Sequence, residues 1–130
     1  MKEIYSIVKT DVVAAPQTST TAAVTGEITL NGDFDALTVA VAYGTGGTLE
    51  IKVEEYNGTE YVAADPMNII GATPDSDGVV EKTDGTAAGV FEFGYAGIAD
   101  KIKVSVTPSA ATPLAILATK GHFRLSPPAR

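Results

Sequence analysis

The 130-residue chain has no cysteine and no tryptophan, a single histidine, and only 7% aromatic and 19% charged residues. Without cysteine, a disulfide framework or thiolate metal site is excluded, and the fold needs no oxidising compartment. One histidine and no cysteine also leave zinc and redox metals without a ligand set. No apolar run approaches the length of a membrane span. The first residues, Met1 to Tyr5, lack the apolar core of a secretory signal, and Glu3 and Lys9 interrupt the N-terminal segment with charge; the expectation is a soluble protein made in the cytoplasm. With few aromatics, the interior has to be built from Val, Ile, Leu and Ala. With few charges, the surface has to carry much Thr, Ser, Gly and Ala, part of it available to partners.

Amphipathic helical periodicity is missing as well. In its place is alternation at period two. Leu37, Val39, Val41 and Tyr43 share one face of a run, Leu49, Ile51 and Val53 that of a second, and Ile102, Val104 and Val106 that of a third. Successive strand side chains point to opposite faces, so each run buries one side and wets the other. Phe91, Phe93 and Tyr95 form a fourth such set, and 114–119 is apolar on both faces, as a central strand would be. Together with 4–13, 24–30 and an edge strand at 79–82, this gives eight or nine short strands. They are separated by turn signals at Asn31-Gly32-Asp33, Asn57-Gly58, Asp75-Ser76-Asp77-Gly78 and Asp84-Gly85. Residues 65–71 read either as one helical turn or as an edge segment.

The fold class implied by this pattern is all-β: a single-domain antiparallel β-sandwich, jelly-roll-like, with extended N- and C-terminal arms. Residues 1–23 form an N-terminal strand and a Thr/Ser/Pro-rich loop or arm. Residues 24–119 form the body, and 120–130 a basic, proline-containing tail. Gly44-Thr45-Gly46-Gly47 reads as a flexible hairpin loop between two strands, not as a phosphate cradle opening a helix.

The net charge of −7 is unevenly spread. Residues 1–119 hold six basic residues and all sixteen acids, a net of −10, whereas 120–130 hold Lys120, Arg124 and Arg130 and no acid. An acidic body argues against nucleic acid as a partner. The basic tail is either an ordinary solvated segment or an arm that docks on an acidic neighbour, such as the next copy of the chain.

No constellation points to catalysis or a cofactor. His122 has no nucleophile or carboxylate near it in sequence. Asp75-Ser76-Asp77-Gly78 and Asp33-Phe34-Asp35 begin a calcium-loop rhythm without completing it. Sugar-binding sandwiches stack rings on exposed aromatics; here Tyr56 and Tyr61, flanking Asn57-Gly58, are the one candidate platform, and a cross-strand pair is the plainer reading.

The runs 34–44 and 47–55, then Phe93-Gly94-Tyr95-Ala96-Gly97 followed by 101–107, resemble small structural proteins of tailed bacteriophages. The ending Gly121-His122-Phe123-Arg124-Leu125-Ser126-Pro127 is similar to their Gly-His-Pro-Arg-type endings, departing at Phe123. Among such proteins the chain is most similar to capsid decoration, or cement, proteins. That resemblance implies a β-sandwich, often a homotrimer, seated on the exterior of an expanded icosahedral head, with the major capsid protein as partner and neither catalytic residues nor a membrane or nucleic-acid contact. On that reading Lys120, His122 and Arg124 are tail contacts, and Ile4, Tyr5 and Ile7 are arm contacts able to add strand pairing to a neighbour. The plain alternative for the latter set is a first strand of the domain's own sheet. A head–tail connector or tail component, a carbohydrate-binding or adhesion module and, last, a small enzyme are the competing readings.

Overall fold

A computed structural model describes residues 4–30 and 36–125, with side chains placed for 11–30 and 37–120. Ten strands form two antiparallel sheets packed as a β-sandwich. They are β1 (Ile4–Ser19), β2 (Val24–Thr29), β3 (Ala36–Tyr43), β4 (Leu49–Tyr56), β5 (Tyr61–Ala63), β6 (Ile69–Ile70), β7 (Val79–Thr83), β8 (Gly89–Tyr95), β9 (Lys101–Pro108) and β10 (Thr112–Leu125). Sheet one runs β1-β10-β3-β8-β6. Sheet two runs β2-β9-β4, with β5 and β7 sharing the outer edge of β4.

The period-two runs supply the core. Val39, Val41 and Ile116 in sheet one meet Leu49, Ile51, Val53, Ile102, Val104 and Val106 in sheet two, all fully buried. β3 lies between β10 and β8, and β10 between β1 and β3, which is why 37–43 and 114–119 read as central. Gly26 occupies an inward position of β2, where a Cβ would collide with the Val13 side chain. Its absence lets β1 fold over the seam between the sheets.

Several local expectations are corrected. The Thr/Ser/Pro stretch is strand as far as Ser19, because β10 pairs with it from Gln17↔Leu114 to Ser19↔Thr112, and register shifts on either side of Ala14 bring it into line around Pro16. The tail likewise continues β10 to Leu125; residues 126–130 lie outside the described residues. Gly44–Gly47 is not a hairpin, since β3 and β4 belong to different sheets. Its glycines let three loops close one end of the sandwich: Gly46 N–H donates to the Gly85 carbonyl (3.1 Å) and Gly47 N–H to Thr112 Oγ1 (2.8 Å). Gly85 itself sits at φ +73°, with the Gly47 carbonyl where its Cβ would be.

The β4–β5 hairpin is present, but its loop has four residues. Tyr56 pairs with Tyr61, and the Asn57 side chain accepts from the N–H groups of Thr59 and Glu60 (both 2.9 Å). Residues 65–70 form both features expected as alternatives, a 3-10 turn over Pro66–Asn68 and then β6. The turn signal at 31–33 lies outside the described residues.

Candidate functional site

The two outer faces of the sandwich differ in chemistry. On sheet two the registered rows are polar and charged, with opposite charges side by side in the first and third: Glu27–Lys103–Glu54, Thr25–Ser105–Lys52 and Thr107–Glu50–Lys82. Lys103 and Lys82 lie 3.8 Å from Glu54 and Glu50. The Lys82–Glu50 pair is exposed and the Lys103–Glu54 pair half-buried; solvent-screened pairs of this kind are worth about 1 kcal/mol or less, and the face is a polar lattice.

Tyr56 and Tyr61 stand at the end of this lattice. Their ring centroids are 5.4 Å apart, and the ammonium groups of Lys101 and Lys103 sit 4.3 and 4.5 Å from the respective centroids. The Tyr61 hydroxyl donates to Glu27. Loss of water around that hydroxyl, then the Glu27 carboxylate, push its pKa well above the ordinary phenol value. Rings paired with each other and covered by lysines offer no open platform for a sugar.

On sheet one, the outward positions carry almost no charge. One row reads Val12–Leu117–Ala40–Glu92 and the next Ala115–Ala42–Val90. A third runs Thr119–Thr38–Gly94–Ile70. Among these described side chains Glu92 is the one charged group. Val12 and Ile70 are each 61% exposed and Val90 58%, so the apolar groups face water rather than a core. A shallow hollow of about 490 Å³, lined by Pro16, Tyr43, Gly44 and Pro113 among others, continues the face at one end. Isolated exposed apolar residues are ordinary; a contiguous, nearly charge-free sheet face is not.

The ladder between β10 and β3 ends at Gly121↔Ala36, while β10 and β1 remain paired beyond it, to Ile4↔Leu125. Among the described residues, β1 and β10 thus continue as a two-stranded ribbon beyond the last β3 rung. It brings together five of the six residues expected as contacts: Ile4, Tyr5 and Ile7 stand opposite Leu125, Arg124 and His122. The N-terminal set is thus a first strand of the domain's own sheet as well as part of an arm.

The sixth, Lys120, is placed differently. It continues the inward row Leu114, Ile116, Ala118 and is 9% exposed. Its ammonium donates to the Thr29 carbonyl (2.7 Å) and lies 3.7 Å from Asp11. It thereby ties β10 to β2 and β1. Replacing Lys120 with Met is expected to cost about 1 kcal/mol by removing the donor to the Thr29 carbonyl and the charge facing Asp11, seen as a lower midpoint in urea unfolding.

The inward row of sheet two ends on a charged group too. Leu49, Ile51 and Val53 are followed by Glu55, opposite Ile102. Its carboxylate accepts from Tyr95 Oη (2.6 Å), from Asp65 N (2.6 Å) and from Asn68 Nδ2 (2.9 and 3.1 Å). One side chain thus fastens the 3-10 turn and β8 to β4. Burial, then this carboxylate, raise the Tyr95 pKa well above its ordinary 10.0. A phenol raised in the folded state contributes stability that is present below pH 10 and lost as pH rises toward its folded value. Urea midpoints are expected to fall above about pH 10, and the part of that fall owed to this hydroxyl is expected to vanish in Tyr95→Phe.

The acids of the 75–78 loop are engaged locally. Asp75 Oδ1 accepts from Asp77 N (2.9 Å) and Val79 N (3.0 Å), and these backbone donors hold its carboxyl below the usual range. Among the described residues no group of three or more Asp, Glu, His or Cys side chains is placed to hold a metal ion, and no helix is long and apolar enough to cross a membrane. Asp33 and Asp35 lie outside the described residues.

No family model matches the chain, and no curated protein matches it in sequence. Among solved structures it is similar to the SPBc2 prophage-derived protein YomS, with a TM-score of 0.57 and 18% identity over 90% of this chain and 95% of that one. It is more distantly similar to the decameric BFDV capsid protein (TM-score 0.45, 13% identity, 94% and 99% covered). A CBM4 structure stands at TM-score 0.41 and 12% identity, with 89% and 80% covered. The likeness to YomS is one of fold; the other two are too distant in shape to bear on the role of this chain.

Proposed function

We propose that this chain is a non-enzymatic structural protein of a phage particle: a decoration or cement protein that binds the exterior of the head as an oligomer, a trimer on the resemblance to cement proteins, and stabilises it by bridging major capsid protein subunits. The observation that carries this reading is the contrast between the two outer faces, one a polar lattice suited to water and the other apolar and nearly uncharged. A molecule built this way works through flat contacts rather than a cleft. The ribbon beyond the last β3 rung supplies a second contact, with Arg124 and His122 among its residues. YomS, whose fold the chain shares, is prophage-derived, the setting this proposal assigns to the chain.

The mechanism is avidity. An oligomer touching several capsid subunits at once turns weak single contacts into a lasting attachment. Binding to the assembled shell and not to its separated subunits then stabilises the shell by linkage. An acidic body makes nucleic acid an unsuitable partner. The sugar-binding alternative loses its platform to the lysines over Tyr56 and Tyr61.

Cosedimentation with expanded heads that lack the protein tests the reading. Saturable binding at a copy number matching threefold or quasi-threefold positions is expected. No binding would refute it, and a few copies per particle would indicate a connector or tail component instead.

A further inference from the structure

The apolar face of sheet one needs a partner, and its chemistry indicates which. We infer that it is the surface through which copies of this chain associate, leaving the ribbon to contact the shell. The inference deepens the proposed reading, on which it rests for the oligomer, by naming the surface that joins the copies.

Charge is the first reason. Each copy carries a net −7, so copies repel at a distance and must meet where that charge is absent. Among the described side chains, the rows through Leu117, Ala42 and Thr38 hold one acid, Glu92, whereas β2, β9, β4 and β7 of sheet two all present charges outward.

Shape is the second. Ala40, Ala42, Ala115 and Gly94 keep the middle of the face low, so a second sheet can approach closely. Val12, Val90 and Ile70 stand out from the same face, which also carries the hollow at Pro16, Tyr43 and Pro113. Knobs and a hollow in one surface let identical faces fit one another, whether two meet directly or three turn toward a common axis.

Size is the third. Four strands about 4.8 Å apart, over about seven residues at about 3.4 Å each, with the two residues of β6 beside them, give a patch of roughly 500 Å². That is near the upper end of what monomers leave open. It also matches the buried centre of an interface covering about 800 Å² per partner.

Sedimentation equilibrium of the full chain, without shells, tests the inference. The wild type is expected to show a multiple of the chain mass in the micromolar range. The double variant Val12→Asp/Val90→Asp adds charge at two exposed positions of the face and is expected to weaken association by about 100-fold or more. The pair Thr25→Asp/Thr107→Asp adds the same charge to sheet two and is expected to leave the mass unchanged. Circular dichroism checks that each variant is folded. If the first pair fails to fold, Val12→Thr/Val90→Thr keeps β-branched residues at both positions and is expected to weaken association about tenfold.

A monomeric wild type overturns the inference, as does an unchanged mass in the folded face variants. A monomer that still saturates shells would remove this interface and leave the decoration reading standing; an oligomer that ignores shells would do the reverse.

Discussion

Replacing Glu55 with alanine is expected to lower the unfolding free energy by about 3 kcal/mol, one of the largest effects of any single polar substitution in the chain. The carboxylate accepts four hydrogen bonds, from Tyr95, Asp65 and both oxygens' contacts with Asn68. Its removal leaves a phenol, a backbone N–H and an amide without their acceptor, at the point where sheet one meets sheet two. A thermal midpoint lower by roughly 10 °C is the corresponding shift for a domain of this size. Glu55→Gln keeps the shape and one acceptor, and is expected to recover about half of the loss. Substituting neighbouring Glu54, whose partner is Lys103 on the solvated face, is expected to cost under about 1 kcal/mol. Equal losses at the two positions would contradict the assignment of Glu55 as the fastening point.

Truncating the two termini is expected to have opposite results. A chain ending at Gly121 keeps every rung between β10 and β3 and keeps Lys120; it is expected to fold with its oligomer intact and to lose shell binding by at least about tenfold, the weight of one charge-assisted contact per copy. Removing residues 1–19 deletes β1, which pairs with β10 along most of its length. It uncovers a long central strand as a bare edge, and aggregation on expression is the expected result. A soluble, shell-binding product lacking 1–19 would show that β1 is an appendage and not part of the sandwich.

The sandwich was legible in the sequence wherever alternation ran unbroken. Residues 37–43, 49–54 and 101–107 each bury one face over their full length, and nothing but a strand fits that period. The strand at 14–19 was hidden because its order comes from β10 and not from its own composition; Ala14 and Ser19 are buried, but the residues between them, Ala15, Pro16, Gln17 and Thr18, are all exposed and show no alternation. Gly44–Gly47 misled because a glycine-rich link says only that the chain bends, not which sheet it enters. Glu55 had a readable signal: it takes the apolar-face position after Val53, where the alternation should have continued. Lys120 has the same signal after Ala118.

The apolar face was half visible. Residues 114–119 were apolar on both sides, yet only the pairing of Leu117 with Ala40 and of Ala42 with Val90 gathers apolar side chains from three strands onto one surface. The ribbon could not be read at all from local sequence, since it joins positions more than a hundred residues apart.

Cryo-electron microscopy of expanded heads saturated with the protein tests the central claim most directly. The expected result is added density on the outside of the shell, at threefold or quasi-threefold positions, with the sheet-one faces of neighbouring copies turned toward one another and the ribbon of β1 and β10 touching the capsid subunits. Density confined to a single vertex, or heads indistinguishable from those without the protein, would contradict it.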